Sequence, residues 1–442
     1  MSRRADRRQL LKSAALAGAG FWIAGSAAPA ASRSANEKLN VGVIGSGGRG
    51  HANTDGVVGP NEQNARENLV ALCDTNQNVL ESRAKQFPKA KRYTDWRKLL
   101  EQKDVDAVIV STPDHHHALA SVAAMKLGKH VYCEKPVAHS VYEARVVQDT
   151  YKEMKGKVAT QMGTQIHATP NYRRVVELIQ SGAIGAVREA HVWCDREGFS
   201  PDKKWPADKP EVPKNANWDL WLGPAPERPY HPRYFGGCMI WEQWWDYGNG
   251  CIGDMGSHLI DLPFWALRLR QPLTVEAEGA NRSDEFYPQW LIVRWEHPAT
   301  KRRPALKLTW YDGGKKPPSP PGHDLKQWGI GVLFEGEKGK LLADYGQCIL
   351  LPEDQFKDFK YTGKPIPPSL GHYEEWIHAC KTGAPTLCNF DYSGMLVEHN
   401  LLGTVAFRVG KKLTWEPKSM KAVDCPEADK FIRREYRKGW EI

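Results

Sequence analysis

The chain has 442 residues, which at about 150 per domain allows two or three domains with ample material for a core. Apolar residues make up 41% and charged residues 26%, ordinary globular values that exclude collagen-like, disordered and multi-spanning membrane classes. The formal charge is +9, yet without the first 31 residues 56 basic side chains face only 51 acidic ones. With no long Lys/Arg run and no basic face interleaved with aromatics, nucleic acid is excluded as a partner.

The N-terminal segment runs from basic to mildly apolar to small residues. Asp6-Arg7-Arg8-Gln9-Leu10-Leu11-Lys12 resembles the twin-arginine export consensus, and an uncharged Ala/Gly-rich stretch follows from Ser13 to Ser32. Ala28-Pro29-Ala30 offers an A-x-A cleavage site with no Cys after it to take a lipid. A single membrane helix is the competing reading, but the Ala/Gly content makes a poor spanning segment. Residues 1–36 are therefore expected to be a signal and linker that sends the folded protein out of the cytoplasm, without stable membrane insertion.

From residue 37 to 162 strand, turn and helix repeat. Apolar runs at Leu39–Ile44, Leu69–Cys73, Ala107–Ser111, His130–Cys133 and Ala159–Met162 read as strands, and Asp114–Leu127 and Val141–Lys155 as helices between them. Such alternation predicts an α/β domain with a doubly wound parallel sheet. Directly after the first strand, Gly45-Ser46-Gly47-Gly48-Arg49-Gly50 matches G-x-G-x-x-G, where glycine permits a tight turn and lets backbone N–H groups reach a pyrophosphate. The match gains weight from Asp74 at the end of the second strand, 24 residues after Gly50. A carboxylate there binds ribose hydroxyls and repels a 2′-phosphate, which favours NAD over NADP; a cap or turn role is its plain alternative.

Ser111-Thr112-Pro113-Asp114-His115-His116-His117 follows the third strand, where ligands of such sheets collect. Three successive histidines at a helix start splay around its axis and cannot converge on one ion, so no metal is expected. Glu134-Lys135-Pro136 closes the fourth strand and aims a lysine at the cofactor crevice, unless it is an ordinary surface loop.

After the fifth strand the chain reads Gly163-Thr164-Gln165-Ile166-His167, then a helix with Thr169 as N-cap, Pro170 at its first position and Gly182 past its last turn. Residues 163–442 are expected to form an α+β domain for substrate and dimer contacts. Val187–Trp193, Leu291–Trp295, Leu306–Tyr311, Val332–Glu335 and Lys340–Asp344 read as strands, and the lack of helical crossovers between several of them predicts a large open, mostly antiparallel sheet. The segment Gly313–Gly322, with prolines at 317, 318, 320 and 321, is a loop. Of 17 tryptophans, 12 fall between positions 191 and 330, either as core filler or as a carbohydrate-stacking surface near Trp218, Trp221, Trp241, Trp244 and Trp245. Gly253-Asp254-Met255-Gly256-Ser257-His258-Leu259-Ile260-Asp261 opens an apolar helix with Asp254, His258 and Asp261 on one face, a proton relay or, more plainly, a cap and a core histidine. The nine cysteines form no C-x-x-C pair and read as buried thiols.

The glycine fingerprint, Thr112-Pro113-x-x-x-His117, Glu134-Lys135-Pro136 and Gly250-x-x-x-Asp254-x-x-x-His258-x-x-Asp261, in this order, resemble the Gfo/Idh/MocA oxidoreductases over roughly residues 37 to 415. The resemblance implies a Rossmann domain followed by an open-sheet domain used for dimerisation. It implies Lys135, Asp254 and His258 as the catalytic set. Gly45, Ser46, Gly47, Gly48, Arg49, Gly50, Asp74, Ser111, Thr112, Pro113, His117, Glu134 and Lys135 would hold NAD. Many relatives have an Asn-Arg pair where this chain has Gln165 and His167, so substrate contacts there are expected to differ; Trp245, Asp246 and Tyr247 are further candidates for substrate contact.

His258 would take the proton of a secondary sugar hydroxyl, oriented by Asp254, while Lys135 stabilises the developing oxygen charge. An exported enzyme meets no supply of nicotinamide cofactor, so tightly bound, internally recycled NAD is expected. A redox-neutral glycosidase or epimerase working through a transient keto-sugar, a simple sugar or inositol dehydrogenase, and a noncatalytic NAD-binding protein are the competing functions. The expected assembly is a homodimer or homotetramer.

Overall fold

A computed structural model describes residues 37–199, 204–280, 282–423 and 425–442, and the export signal expected within residues 1–36 lies outside them. β1 (Asn40–Ile44), β2 (Asn68–Cys73), β3 (Lys91–Tyr93), β4 (Ala107–Val110), β5 (His130–Cys133) and β6 (Thr160–Met162) form a parallel sheet in the order β3-β2-β1-β4-β5-β6. Val43 of β1 lies opposite Leu72 on one side and Ile109 on the other. All four residues of β4 are buried, which is why Ala-Val-Ile-Val shows no alternation. The order reverses between β1 and β4, opening a crevice at the carboxyl ends of these strands. Sequence reading missed β3, a polar three-residue edge strand with little apolar signal.

The helices of this half carry their own stop and start signals. Val141–Glu153 begins with a capping box, in which Ser140 Oγ accepts from the Glu143 amide and the Glu143 carboxylate accepts from the Ser140 amide, both at 3.2 Å. Thr169 caps Pro170–Gln180, as its sequence predicts.

β7 (Val187–Cys194), β8 (Thr274–Gly279), β9 (Leu291–His297), β10 (Leu306–Asp312), β11 (Ile330–Gly336), β12 (Gly339–Ala343), β13 (Cys348–Leu351), β14 (Leu413–Glu416) and β15 (Lys421–Val423) form the second sheet, ordered β13-β12-β11-β7-β10-β9-β8-β14-β15. Only the β7/β10 pair is parallel, so the sheet is mixed and mostly antiparallel. Five of the tryptophans, Trp193, Trp244, Trp295, Trp310 and Trp376, are wholly buried, so much of the Trp enrichment is core. No helix among the described residues is long and apolar enough to cross a membrane. Cys238 is exposed and Cys348 half-buried; the other cysteines are buried, and none is in a disulfide.

Two C-terminal helices return to the first half. His372–Thr382 packs on Gly48–Val57, where the Tyr373 hydroxyl donates to Asn53 Oδ1 at 2.8 Å. The 20-residue helix Phe390–Val409 packs on both Val141–Glu153 and β8. It is buried on every side through most of its length, polar Glu398, His399 and Asn400 included, and so lacks the amphipathic stripe that would announce it.

Arg145 of the first half holds Glu398 of that helix through two hydrogen bonds of 2.9 and 2.8 Å, with the Glu398 side chain only 1% exposed. Arg145→Met is expected to lower the unfolding free energy by about 3 kcal/mol, because it strands a buried carboxylate, and Arg145→Met with Glu398→Met to recover most of it. Urea unfolding of the three proteins measures this; equal losses in the single and double variants would show that the pair is not the cause.

Candidate active site

A cleft of about 740 Å³ opens at the reversal of the first sheet and is floored by the turns after β1, β2, β4 and β5. The glycine turn is shaped by two contacts. Gly45 has φ +83°, and a Cβ there would sit 2.6 Å from the Ser111 carbonyl oxygen; a Cβ on Gly50 would lie 1.8 Å from that of Gly45. Gly45, Gly47, Gly48 and Arg49 line the cleft. Ser46 and Gly50 stand behind it: Ser46 Oγ donates to the Cys73 carbonyl at 3.1 Å, and Gly50 gives the close approach of helix to strand.

Asp74 lines the cleft, and its carboxylate accepts from the amides of Ser46, Gly47 and Asn76 at 2.9, 3.3 and 2.9 Å. Burial pushes its pKa up, against the pull of these N–H groups. Ser111, Thr112, Pro113 and His117 form the next wall, and the His117 ring spans the carbonyls of Pro136 and Thr112 at 2.6 and 2.7 Å, tying the turn after β5 to that after β4. The neighbouring His115 and His116 both point to the Trp221 carbonyl, each at 2.9 Å.

Glu134 is buried in the same wall. Its Oε1 accepts from Arg49 Nε at 3.1 Å, Asn53 Nδ2 at 2.9 Å and Gln165 Nε2 at 3.3 Å. Burial raises its pKa, but the charges of Lys135 and Arg49 outweigh it and the net shift is down.

Lys135, after β5 and joined to Pro136 by a cis bond, donates to Asp254 of the helical segment Gly250–Asp254. Arg196, just past β7, donates to the other Asp254 oxygen, and its Nη2 lies 3.3 Å from Glu242. The carboxylate thus joins two cations from two sheets. His258 lines the cleft beside them with its Nδ1 buried and unpartnered, and burial followed by the Lys135 charge pushes its pKa down to about 3. The expected Asp254/His258 relay is corrected: Asp254 is bonded to Lys135 and Arg196, and no bond joins it to His258 among the described residues. The apolar helix is also broken into Gly250–Asp254, Gly256–Leu259 and Asp261–Ala266.

Gln165 lines the cleft, whereas His167 does not. His167 Nδ1 donates to Asp261 at 2.8 Å and its ring stacks on Trp265 at 3.9 Å, a buried packing role set by the tight turn at Gln165–Ala168. Trp245, Asp246 and Tyr247 also stand away from the cleft: Trp245 Nε1 donates to the Ser283 carbonyl, Asp246 pairs with Arg228, and Tyr247 is buried against Trp221. Trp218 and Trp221 stack on each other at 4.7 Å and Trp244 on Trp205 at 4.1 Å, leaving Trp96, Trp221, Phe235 and Trp241 as the aromatic lining.

Sequence reasoning missed Arg196 and the buried acids of the cleft. Asp114 is held well above its usual pKa by burial and then by Glu242, and Glu242 is raised by burial. The signal for Arg196 was its place just beyond a strand end; Glu242 was hidden among tryptophans.

The family model "Oxidoreductase family, NAD-binding Rossmann fold" matches residues 39–162, and "Oxidoreductase family, C-terminal alpha/beta domain" matches residues 169–300. The levoglucosan dehydrogenase of Pseudarthrobacter phenanthrenivorans is 26% identical over 230 residues, 51% of this chain and 50% of that protein. A glycosyl hydrolase family 109 protein of Solibacter usitatus is 38% identical over 157 residues, 31% of this chain and 34% of that protein. The alignments thus span half or less of these curated relatives. A solved levoglucosan dehydrogenase in complex with NADH and L-sorbose has a TM-score of 0.56 at 19% identity, covering 85% of this chain and 98% of that one, which shows the shared fold.

Gly50→Ala is expected to weaken NAD binding by at least about tenfold, by forcing the helix off the glycine turn. Calorimetric titration with NAD measures it; wild-type affinity in the variant would remove the turn from the binding site.

Proposed function

This chain belongs to the Gfo/Idh/MocA oxidoreductase family, and from that premise we propose that it is an NAD-dependent enzyme acting on a secondary hydroxyl of a sugar or glycoside, with NAD tightly bound and internally recycled. The observation that carries this reading is that Lys135, Asp254 and His258, from both halves of the chain, line one cleft with the glycine turn and Asp74. The cleft fits the cofactor: a Cβ added at Gly48 meets nothing within 4 Å, so the space before the turn is open to a pyrophosphate. Gly45, Gly47, Gly48 and Arg49 would hold that group, Asp74 the ribose, and Ser111, Thr112 and Pro113 the part deeper in the cleft. Asp74 also favours NAD over NADP, since the lining cations, Arg49 and Lys135, are already engaged by Glu134 and Asp254. When bound, NAD supplies hydride exchange with a carbinol carbon.

The chain's own residues do the rest. His258, neutral and desolvated, takes the proton of the substrate hydroxyl at its cleft-facing nitrogen. Lys135 donates a hydrogen bond to the same oxygen as negative charge gathers there, and Asp254 with Arg196 holds the ammonium in place. Trp241 and Phe235 offer apolar surface to a sugar face.

A second reading is favoured by Asp114 and Glu242. Two buried carboxyls whose pKa values burial pushes up at the cleft suit proton donation to a leaving glycosidic oxygen, after a transient ketone has acidified the neighbouring C–H, or reprotonation in an epimerisation. The protein works after export, as a homodimer or homotetramer built on the open sheet.

Purified without added cofactor, the protein is expected to carry NAD and to turn over sugars without net NADH release; an empty protein that releases NADH with each turnover would refute recycling. Lys135→Ala should cut kcat by at least about 100-fold while NAD stays bound, and near-full turnover would remove Lys135 from the chemistry. Because burial disfavours the imidazolium, His258 stays unprotonated as pH falls. kcat/KM with the cofactor bound should show no acid limb with a pKa near 6.5, the value of an ordinary imidazole. A limb there, absent in a His258 variant's residual activity, would overturn the assignment.

A further inference from the structure

We propose that a second cavity, lined by His139 of the segment after Lys135 and by Asn249 of the segment before Asp254, binds one small oxyanion, a phosphate-like or carboxylate group. The cavity measures about 170 Å³, below the roughly 300 Å³ at which pockets begin to hold drug-sized ligands, so it suits a single ion rather than a nucleotide. Its polar wall carries Arg408, Arg434, Lys430 and His139.

Arginine donors on this wall are left without acceptors. The Arg408 guanidinium lies 5.0 Å from the Trp245 ring and 4.2 Å from the Phe431 ring, and among the described residues it has no ion pair or hydrogen bond. Its Nε is buried and unpartnered. Arg434 gives Nε to Glu143 and Nη2 to the His115 carbonyl, at 2.7 and 2.6 Å, while its Nη1 is buried without a partner. Both ring nitrogens of His139 are buried too, with the Trp245 and Gly248 backbone as polar neighbours. Buried N–H groups are rarely left so, and several facing one polar space point to an acceptor that the chain itself does not provide.

The nearby acids do not supply it. Asp246 is committed to Arg228, Glu143 to Arg434, and Glu435 and Asp284 are exposed. The balance left over the cavity is positive. Consistent with this, burial lowers the Arg408 pKa to about 10, and burial with the Arg434 and Arg408 charges holds His139 well below the usual imidazole value. An anion would relieve both.

The position gives such an ion a mechanical consequence. The His139 carbonyl accepts from Asn249 Nδ2 at 3.0 Å, and Asn249 immediately precedes Gly250–Asp254. Lys135 lies four residues before His139 in the chain. An oxyanion held by His139, Arg408 and Arg434 therefore braces the two segments that bring Lys135 and Asp254 together.

Calorimetric titration of the full chain, at fixed ionic strength in an amine buffer, with inorganic phosphate in one arm and acetate in another, tests the site and separates the two chemistries. One saturable site for either anion is expected, with a thermal midpoint that rises as it fills. Arg408→Met keeps the stacking on Trp245 and Phe431 but removes the charge, and should weaken that binding by at least about tenfold. Lys430→Met, at the exposed rim, serves if Arg408→Met does not fold, and should weaken it less. No saturable binding of either anion up to about 10 mM, or wild-type affinity in the folded variants, would overturn the proposal. The titration is run with NAD saturating the glycine turn, so that the probe anion reads this cavity alone.

Discussion

Asp254 is a buried carboxylate held by two cations that come from different sheets. Lys135 reaches it from the end of β5 and Arg196 from just beyond β7, while Asp254 itself rides on Gly250–Asp254. Removing either cation would leave charge stranded in a place that water reaches poorly, which is far more costly than exchanging an exposed pair. The two halves of the chain are therefore fixed to one another in the wall of the cleft that also carries His258. The return of Phe390–Val409 onto Val141–Glu153, with Arg145 and Glu398 between them, makes a second such clasp on the outer side.

The same low-polarity surroundings set the protonation of the cleft. A cation beside His258 and little water around it both favour the neutral ring, so its lone pair stays free across the working pH range while its strength as a base is reduced. Lys135 and Arg49 flank Glu134 and draw its pKa down against burial, whereas burial, and for Asp114 also the Glu242 charge, pushes Asp114 and Glu242 up. Three carboxyl groups that all feel the Lys135 charge thus fall into two classes by neighbourhood alone.

Arg408 and Arg434 show the opposite situation, cations with no carboxylate provided for some of their donors. Arg408 packs over Trp245 and Phe431 with its Nε buried, and Trp245 and Asp246 line this smaller cavity rather than the cleft. An aromatic-rich segment reads the same in sequence whether it lines a ligand or packs a core, because Trp serves both ends. Trp205, Trp218 and Trp244 stack with other aromatics, and it took the fold to separate them from Trp241.

Local, short-range requirements were legible from the chain by itself. The glycine turn after β1, Asp74 at the end of β2, the capped start at Thr169-Pro170 and the parallel first sheet all rest on neighbours in sequence or on a period that sequence displays. Long-range pairing was not. His167 reads like a substrate ligand until Asp261 and Trp265 close on it, and Asp254 reads like a partner for His258 until Arg196 arrives from a strand 58 residues earlier. The helix Phe390–Val409 was hidden because uniform burial erases periodicity, and β3 because an edge strand buries too little to need apolar residues. Sequence thus determined which turns and caps form and which residue types stand at them. Tertiary structure alone decided which charges meet, since a buried ion's partner is chosen by the packing of distant elements and leaves no spacing in the chain.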